Sequence, residues 1–232
     1  MGKFIFKFFS IFIISIGIII AYLSYFGLET DKFDTLIKKK ANEVNQNIQL
    51  EFNKTKIHLN IKELNLTVKL QNPKVLVKNN EIVLSKIDLF LSLKSFITSD
   101  FLLQKAEIAF FKNDINDLTK ITNVFVPRII NKQIKKIFSK GEIEGEFIIP
   151  FKPDGRIGEN YEINAKVLNA DININSDLKI SNLSTDIKYV FKSDNDKKIN
   201  FLINEGKVLN LDLNKSSIDI DFIDKKKIVK SK

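Results

Sequence analysis

The residue best suited to chemistry near neutral pH is His58, the single histidine of the chain. An imidazole titrates near 6.5 and can act as general base, proton shuttle or metal ligand. His58 lies between Ile57 and Leu59 on an alternating stretch, so it points to the polar side of a strand, where a histidine is ordinarily a surface residue. One histidine cannot make a two-histidine zinc site. The chain has no cysteine, which removes disulfides, thiolate metal sites, iron–sulfur clusters and thiol nucleophiles. Gly155-Arg156-Ile157-Gly158 is not a phosphate loop, because no GK[ST] follows it. No G-x-S-x-G is present, and the acidic residues are scattered along strand edges without a convergent pair. Asn65-Leu66-Thr67 and Asn182-Leu183-Ser184 match the glycosylation pattern only as an asparagine-rich chain does by chance. These residues point away from an enzyme: no catalytic residue, metal site or cofactor is expected.

What remains is chemistry of surfaces. The net charge is +9, with basic clusters at Lys38 to Lys40, Lys132 to Lys136 and Lys225 to Lys232. Such charge favours solubility and anionic lipid headgroups. Nucleic acid is not an expected partner, because the bulk of the chain reads as exported.

That export reading comes from Phe8 to Leu28, which carry no charge between Lys7 and Glu29. As a helix at 1.5 Å per residue this run spans a hydrocarbon core of roughly 30 Å. Lys3, Lys7 and the terminal amine flank one end; Glu29 and Asp31 flank the other. The positive-inside rule places the N-terminus in the cytoplasm and the bulk outside, in the periplasm of a bacterium. A cleaved signal peptide would have a shorter apolar run and a small-x-small site. An uncleaved anchor is therefore expected.

Five segments follow. Residues 1–28 are the cytoplasmic start and transmembrane anchor. Residues 29–113 hold a helix and a first β-groove section. In it Phe33, Leu36, Ile37, Ala41 and Val44 keep helical spacing behind Thr30 as a cap. Strands then run through Ile48 to Phe52, Ile57 to Ile61, Leu64 to Leu70, Val75 to Val77, Ile87 to Leu93 and Leu103 to Phe111. A change of parity marks a bulge or turn near Lys62-Glu63, and Ser95 to Asp100 reads as a link. Residues 114–140 return to helical spacing, kinked or divided at Pro127 and ended by Gly141 and Gly145. Residues 141–223 form a second β-groove section with a turn at Asp154-Gly155. Residues 224–232 read as a solvated basic tail.

The expected fold is thus mainly β with a few helices. An N-terminal transmembrane helix is followed by a curved antiparallel sheet forming an elongated hydrophobic groove. By alternation the apolar face carries Leu66, Val68, Leu89, Leu91 and Ile108 in the first section. In the second it carries Phe147, Ile149, Ile187 and Tyr189. Two helical segments are little cover for so many strands, which leaves apolar surface for a ligand.

The order of these features resembles the N-terminal part of the AsmA-like envelope proteins. The resemblance covers about residues 1–111. It runs from the anchor to the helix Phe33 to Val44 and the strand Ile48-Gln-Leu-Glu-Phe52. Next come Leu64 to Leu70 with Val75 to Val77, and the stretch Ile87-Asp-Leu-Phe-Leu-Ser-Leu-Lys-Ser-Phe96. Thr98-Ser99-Asp100 then leads into Leu103 to Phe110. The resemblance implies an inner-membrane protein whose periplasmic β-groove binds or conducts phospholipid for outer-membrane biogenesis, with a periplasmic or outer-membrane protein as a possible partner. Two alternatives stand beside it. One is a membrane-tethered envelope scaffold that pairs with partner strands; the other is an LptC-like lipopolysaccharide-transport subunit.

Overall fold

The computed structural model describes residues 2–44, 46–77, 80–95, 102–116, 138–173, 178–193, 195–209, 211–224 and 226–232. It opens with α1 (Gly2–Tyr25), whose stretch Phe6–Tyr25 is 20 residues long with a mean hydropathy of 2.3. By length and composition this helix can cross a membrane, and its apolar stretch is not buried among the described residues. It stops three residues short of the expected Leu28. Phe26 N and Gly27 N both donate to Tyr22 O, at 2.8 and 3.2 Å. Gly27 takes φ 71°, the left-handed turn that closes a helix and that glycine adopts without penalty.

Leu28 instead belongs to a strand, β1 (Leu28–Thr30), followed at once by α2 (Asp34–Val44). Thr30 therefore does not cap α2: its Oγ1 accepts from Lys32 N at 3.1 Å, in the short link between them. Asp34 opens the helix, where a carboxylate suits the positive end of the dipole, and accepts a hydrogen bond from the buried hydroxyl of Thr55.

Next come β2 (Ile48–Glu51), β3 (Lys54–Asn60), β4 (Asn65–Gln71), β5 (Lys74–Val77), β6 (Asn80–Ser92) and β7 (Leu103–Asp114). The second section holds β8 (Phe138–Pro150), β9 (Tyr161–Asn173), β10 (Lys179–Ser193), β11 (Asp196–Val208), β12 (Leu211–Asp212), β13 (Ser216–Ile223) and β14 (Lys226–Ser231). The described strands form one sheet in the order β1-β3-β4-β6-β7-β8-β9-β10-β11-β13-β14. β12 pairs with β11, and β2 and β5 branch from the first half of β6. Every pairing is antiparallel, as the tight links predict.

Several expected boundaries move. The parity change at Lys62-Glu63 is a hairpin turn, in which Asn60 Oδ1 accepts from Lys62 N and Glu63 N at 3.1 and 3.2 Å. The helical segment 114–140 is shorter at both ends, since Asp114 closes β7 and residues 138–140 open β8. Ile115 and Asn116 are helical, and residues 117–137 of that segment lie outside the described residues, as do 96–100 of the Ser95 to Asp100 link. Gly141 and Gly145 end no helix: both sit inside β8, Gly141 at φ 140°. The stretch read as a solvated tail is strand β14, whose six side chains are nevertheless all exposed.

Directly paired residues of an antiparallel sheet share a face, so the register shows what each face carries. One row runs Ile87, Ile108, Phe147, Ile163, Tyr189, Ile199, Ile220, Val229 across eight strands. The opposite face runs Lys69, Asp88, Glu107. There Lys86 joins three strands, 2.7 Å from Glu107 and 3.1 Å from Glu146. Burial opposes the charge on Lys86, but these two carboxylates outweigh it and raise its pKa.

Alternation survives along such long strands because bulges absorb its breaks. Asn169 and Asn182 take φ 50° and 53° at neighbouring register shifts in β9 and β10. Asp171 anchors this line: it accepts from Asn182 N at 3.0 Å and pairs with Lys179 at 3.0 Å. Burial pushes its carboxyl up, but the Asn182 amide and Lys179 together hold it below the usual range.

The apolar face carries two cores. The larger joins Phe33, just before α2, and Ile37 of α2 to β3, β4, β6 and β7; the smaller gathers Ile115, Val167, Ala170 and Leu183.

Candidate functional site

All nine residues chosen by alternation lie on the same face of the sheet. Ile57, Val68, Leu89, Ala106 and Ile149 form one register row, Leu66 pairs with Leu91, and Ile187 pairs with Ala165. They are not equally open. Val68, Leu91 and Leu66 are buried in the larger core with Phe33 and Ile37, and they do not border the cavity on this face. Phe147, Ile149, Ile187 and Tyr189 are half-buried. Phe147 sits against Phe110 with ring centroids 5.8 Å apart, and Tyr189 against Tyr161 at 6.0 Å.

Leu89 and Ile108 line the cavity that gives this face a candidate site, about 670 Å³ in volume. That lies within the roughly 300–1,000 Å³ usual for small-molecule sites. Its floor is Leu84, Ile87, Leu89, Ala106 and Ile108 from β6 and β7. One wall is Ile37 and Ala41 of α2, and another is Leu50, Val75, Val77 and Ile82 from the β2–β5–β6 branch. The last wall is the loop after β8, with Phe151, Pro153 and Gly155.

Local sequence explains each wall. Ile37 and Ala41 are four residues apart and so share one helix face. Lys38, one residue on, lays its ammonium over the Phe52 ring at 4.9 Å and ties α2 to the chain beyond β2. The loop is a tight turn over Lys152-Pro153-Asp154-Gly155, with Gly155 N donating to Lys152 O at 2.8 Å. Proline second and glycine fourth are the residues such a turn favours.

The rim carries Lys40 and Asp154, and each is already matched. Lys40 pairs with Glu43 at 2.8 Å, and Asp154 with Arg156 at 2.6 Å. Arg156 holds the Asp154 carboxyl below the usual range. Among the described lining residues only these two are charged, and neither lies among the floor residues. The described lining residues form no nucleophile–base pair; the arrangement can take up a flexible apolar body and leave a polar end at the rim.

Alternation found the floor but missed the walls. Ile37 and Ala41 were visible as a helical stripe, though nothing local says that this stripe folds over β6 and β7. Pro153 and Gly155 read as a turn, with no sign that the turn closes a cavity.

His58 stands elsewhere, on the opposite face from Ile57. Its ring meets the end of α1: Cε1 and Nε2 lie 2.8 and 2.9 Å from where a Cβ on Gly27 would be. Burial lowers its pKa first, Lys69 lowers it further, and the hydrogen bond to the Ser24 backbone partly offsets both. Of the two glycosylation patterns, Asn65 is buried and donates to Glu63 Oε2 at 3.0 Å, and Asn182 forms the bulge described above.

No family model matches the chain, and neither a curated protein nor a solved structure matches it significantly.

Proposed function

We propose that this is a membrane-anchored lipid-binding protein that holds an acyl chain against the apolar face of its sheet. On this reading α1 is a single-pass anchor in a bacterial inner membrane, and the sheet stands in the periplasm as part of lipid traffic towards the outer membrane. The observation that carries the reading is the apolar cavity between α2, β6, β7 and the 151–155 turn. The physical reason is transfer energy. Drawing an acyl chain out of a bilayer into water costs about 0.8 kcal/mol per methylene. A trough of Ile, Leu and Val removes that cost while the headgroup stays wet. It requires no nucleophile, metal or cofactor. The resemblance to AsmA-like proteins supports the same reading, with a curved groove as its expected form. The test is lipid extraction from the full chain purified in a lipid-free detergent. Retained phospholipid or fatty acid at near-stoichiometric amounts supports the reading, and lipid-free protein from several detergents removes it.

The alternative of a scaffold that pairs with partner strands has one observation in its favour. β14 closes the strand order, and Ile228 and Val229 on it are 42% and 55% exposed. Its lysines, Lys226, Lys227 and Lys230, are the residues that commonly guard such an edge against pairing. We therefore place lipid binding first.

A further inference from the structure

Resting on the single-pass anchor of that reading and not on its lipid cavity, we infer that the tip of the β3–β4 hairpin, Ile61 to Leu64, inserts into the bilayer interface beside α1 and gives the sheet a second hold on the membrane. Strand direction places it there. β1 leads away from α1, and β3 pairs with it antiparallel, Leu28 opposite Ile57 and Thr30 opposite Thr55. β3 therefore runs back towards the membrane helix. His58 meets the helix end at Ser24 and Gly27, and Ile61 is three residues further on, at most about 10 Å. Residues 11–22 of α1 are all exposed, while Leu23 and Ser24 are half-buried. The helix thus leaves the sheet at this joint and does not fold back over it.

The tip carries residues suited to an apolar phase. Ile61 and Leu64 are 54% and 68% exposed, and Leu93, one residue beyond the Asn65–Ser92 pair, extends the patch. Tyr22, Tyr25 and Phe26 at the end of α1 are exposed as well, as in the aromatic belt where a helix leaves hydrocarbon. Leu64 holds φ 50°, a left-handed conformation that glycine or asparagine adopts at less cost, as Asn72 and Asn160 do elsewhere in the chain. An exposed leucine there serves neither the turn nor a core, and contact with lipid supplies a reason for it. Lys62 can lay its stem among acyl chains with its ammonium at the phosphates. Glu63, the acid of the turn, accepts from Asn65 Nδ2 at 3.0 Å and is held back towards the strand. Exposure alone carries no such meaning. Leu209 has φ 55° and is 72% exposed, yet it follows β11, seven strands from β3 in the sheet order, about 34 Å at the usual strand spacing.

The experiment uses the full chain reconstituted in vesicles of phosphatidylcholine and phosphatidylglycerol. The chain has no cysteine, so Leu64→Cys, Ile18→Cys and Leu209→Cys each take one environment-sensitive nitrobenzoxadiazole label. Quenching by a phospholipid with a doxyl group on its acyl chain reads whether the label lies in the bilayer. The expected result is strong quenching at Ile18, and quenching at Leu64 at least threefold greater than at Leu209, with blue-shifted emission. Quenching at Ile18 with Leu64 no better quenched than Leu209 overturns the hairpin inference and leaves the anchor standing. That holds whether both sheet positions are unquenched or both are quenched, since the second result describes a sheet that adsorbs without preference. No quenching at Ile18 overturns the anchor and the inference with it. Leu64→Cys protein must keep the melting temperature of the parent. If it does not, Ile61→Cys replaces it, with the same expected ratio to Leu209.

Discussion

The ring of His58 lies against Gly27, with its Cε1 2.8 Å from where any larger residue would place a Cβ. This contact joins the C-terminal end of α1 to the third strand of the sheet. Gly27→Ala is expected to lose about 1–2 kcal/mol, because φ is positive and the Ile57 carbonyl lies 2.8 Å from the same point. Thermal unfolding in detergent reads it. The loss should persist in a His58→Ala background, where the backbone conflict remains; full rescue by His58→Ala would mean that the ring alone enforces the glycine.

The same joint gives a pH dependence. The folded pKa of His58 is below 6.5, mainly through burial, with Lys69 and Lys56 adding to it and Ser24 and Asp88 opposing. As pH falls from about 6.5 towards the folded value, the unfolded chain takes up its proton first. Stability should decline across that window and be flat above it. His58→Gln should remove this component of the slope. An unchanged slope between pH 7 and pH 5 in His58→Gln would assign it to other groups.

Adjacent positions on β6 should respond oppositely. Leu89→Asp puts a charge into the apolar face and should cost about 4 kcal/mol or more. Asp88→Asn acts on the polar face. Burial raises the Asp88 pKa, Glu107 adds to that rise, and Lys69 and Lys86 only partly offset it. Ionised Asp88 therefore costs stability above its folded pKa. Asp88→Asn should raise the melting temperature slightly at pH 7, with the gain vanishing towards pH 3.8 and below. Similar losses at both positions would mean the strand faces the other way.

The length and apolarity of α1 predict a membrane protein. The chain should stay in the pellet after alkaline carbonate washing, and a variant with two arginines at Ile14 and Ile18 should not. Release of the unaltered chain would show that α1 does not span.

Much of this architecture is legible because alternation is a local signal and bulges preserve it. Tyr189 and Phe147 are forty-two residues apart, yet their parities place both on one register row through Ile163. Burial is not local. Val68 and Ile108 alternate alike, but one is buried in the larger core while the other borders a cavity. Thr30 read as a cap because its type suits one; pairing of β1 with β3, twenty-five residues on, takes it into the sheet instead. β14 was hidden by its composition, since lysine-rich exposed edges look like tails until a neighbouring strand supplies the register.

The most direct test of lipid binding is photo-crosslinking in cells from single diazirine side chains at Ile108, Leu91 and Glu107. Ile108 borders the cavity, Leu91 is packed core on the same face, and Glu107 lies on the opposite face. The account predicts lipid captured at Ile108, only this chain's own segments at Leu91, and neither lipid nor core at Glu107. Capture of protein segments alone at Ile108, or equal lipid at Ile108 and Glu107, would contradict it.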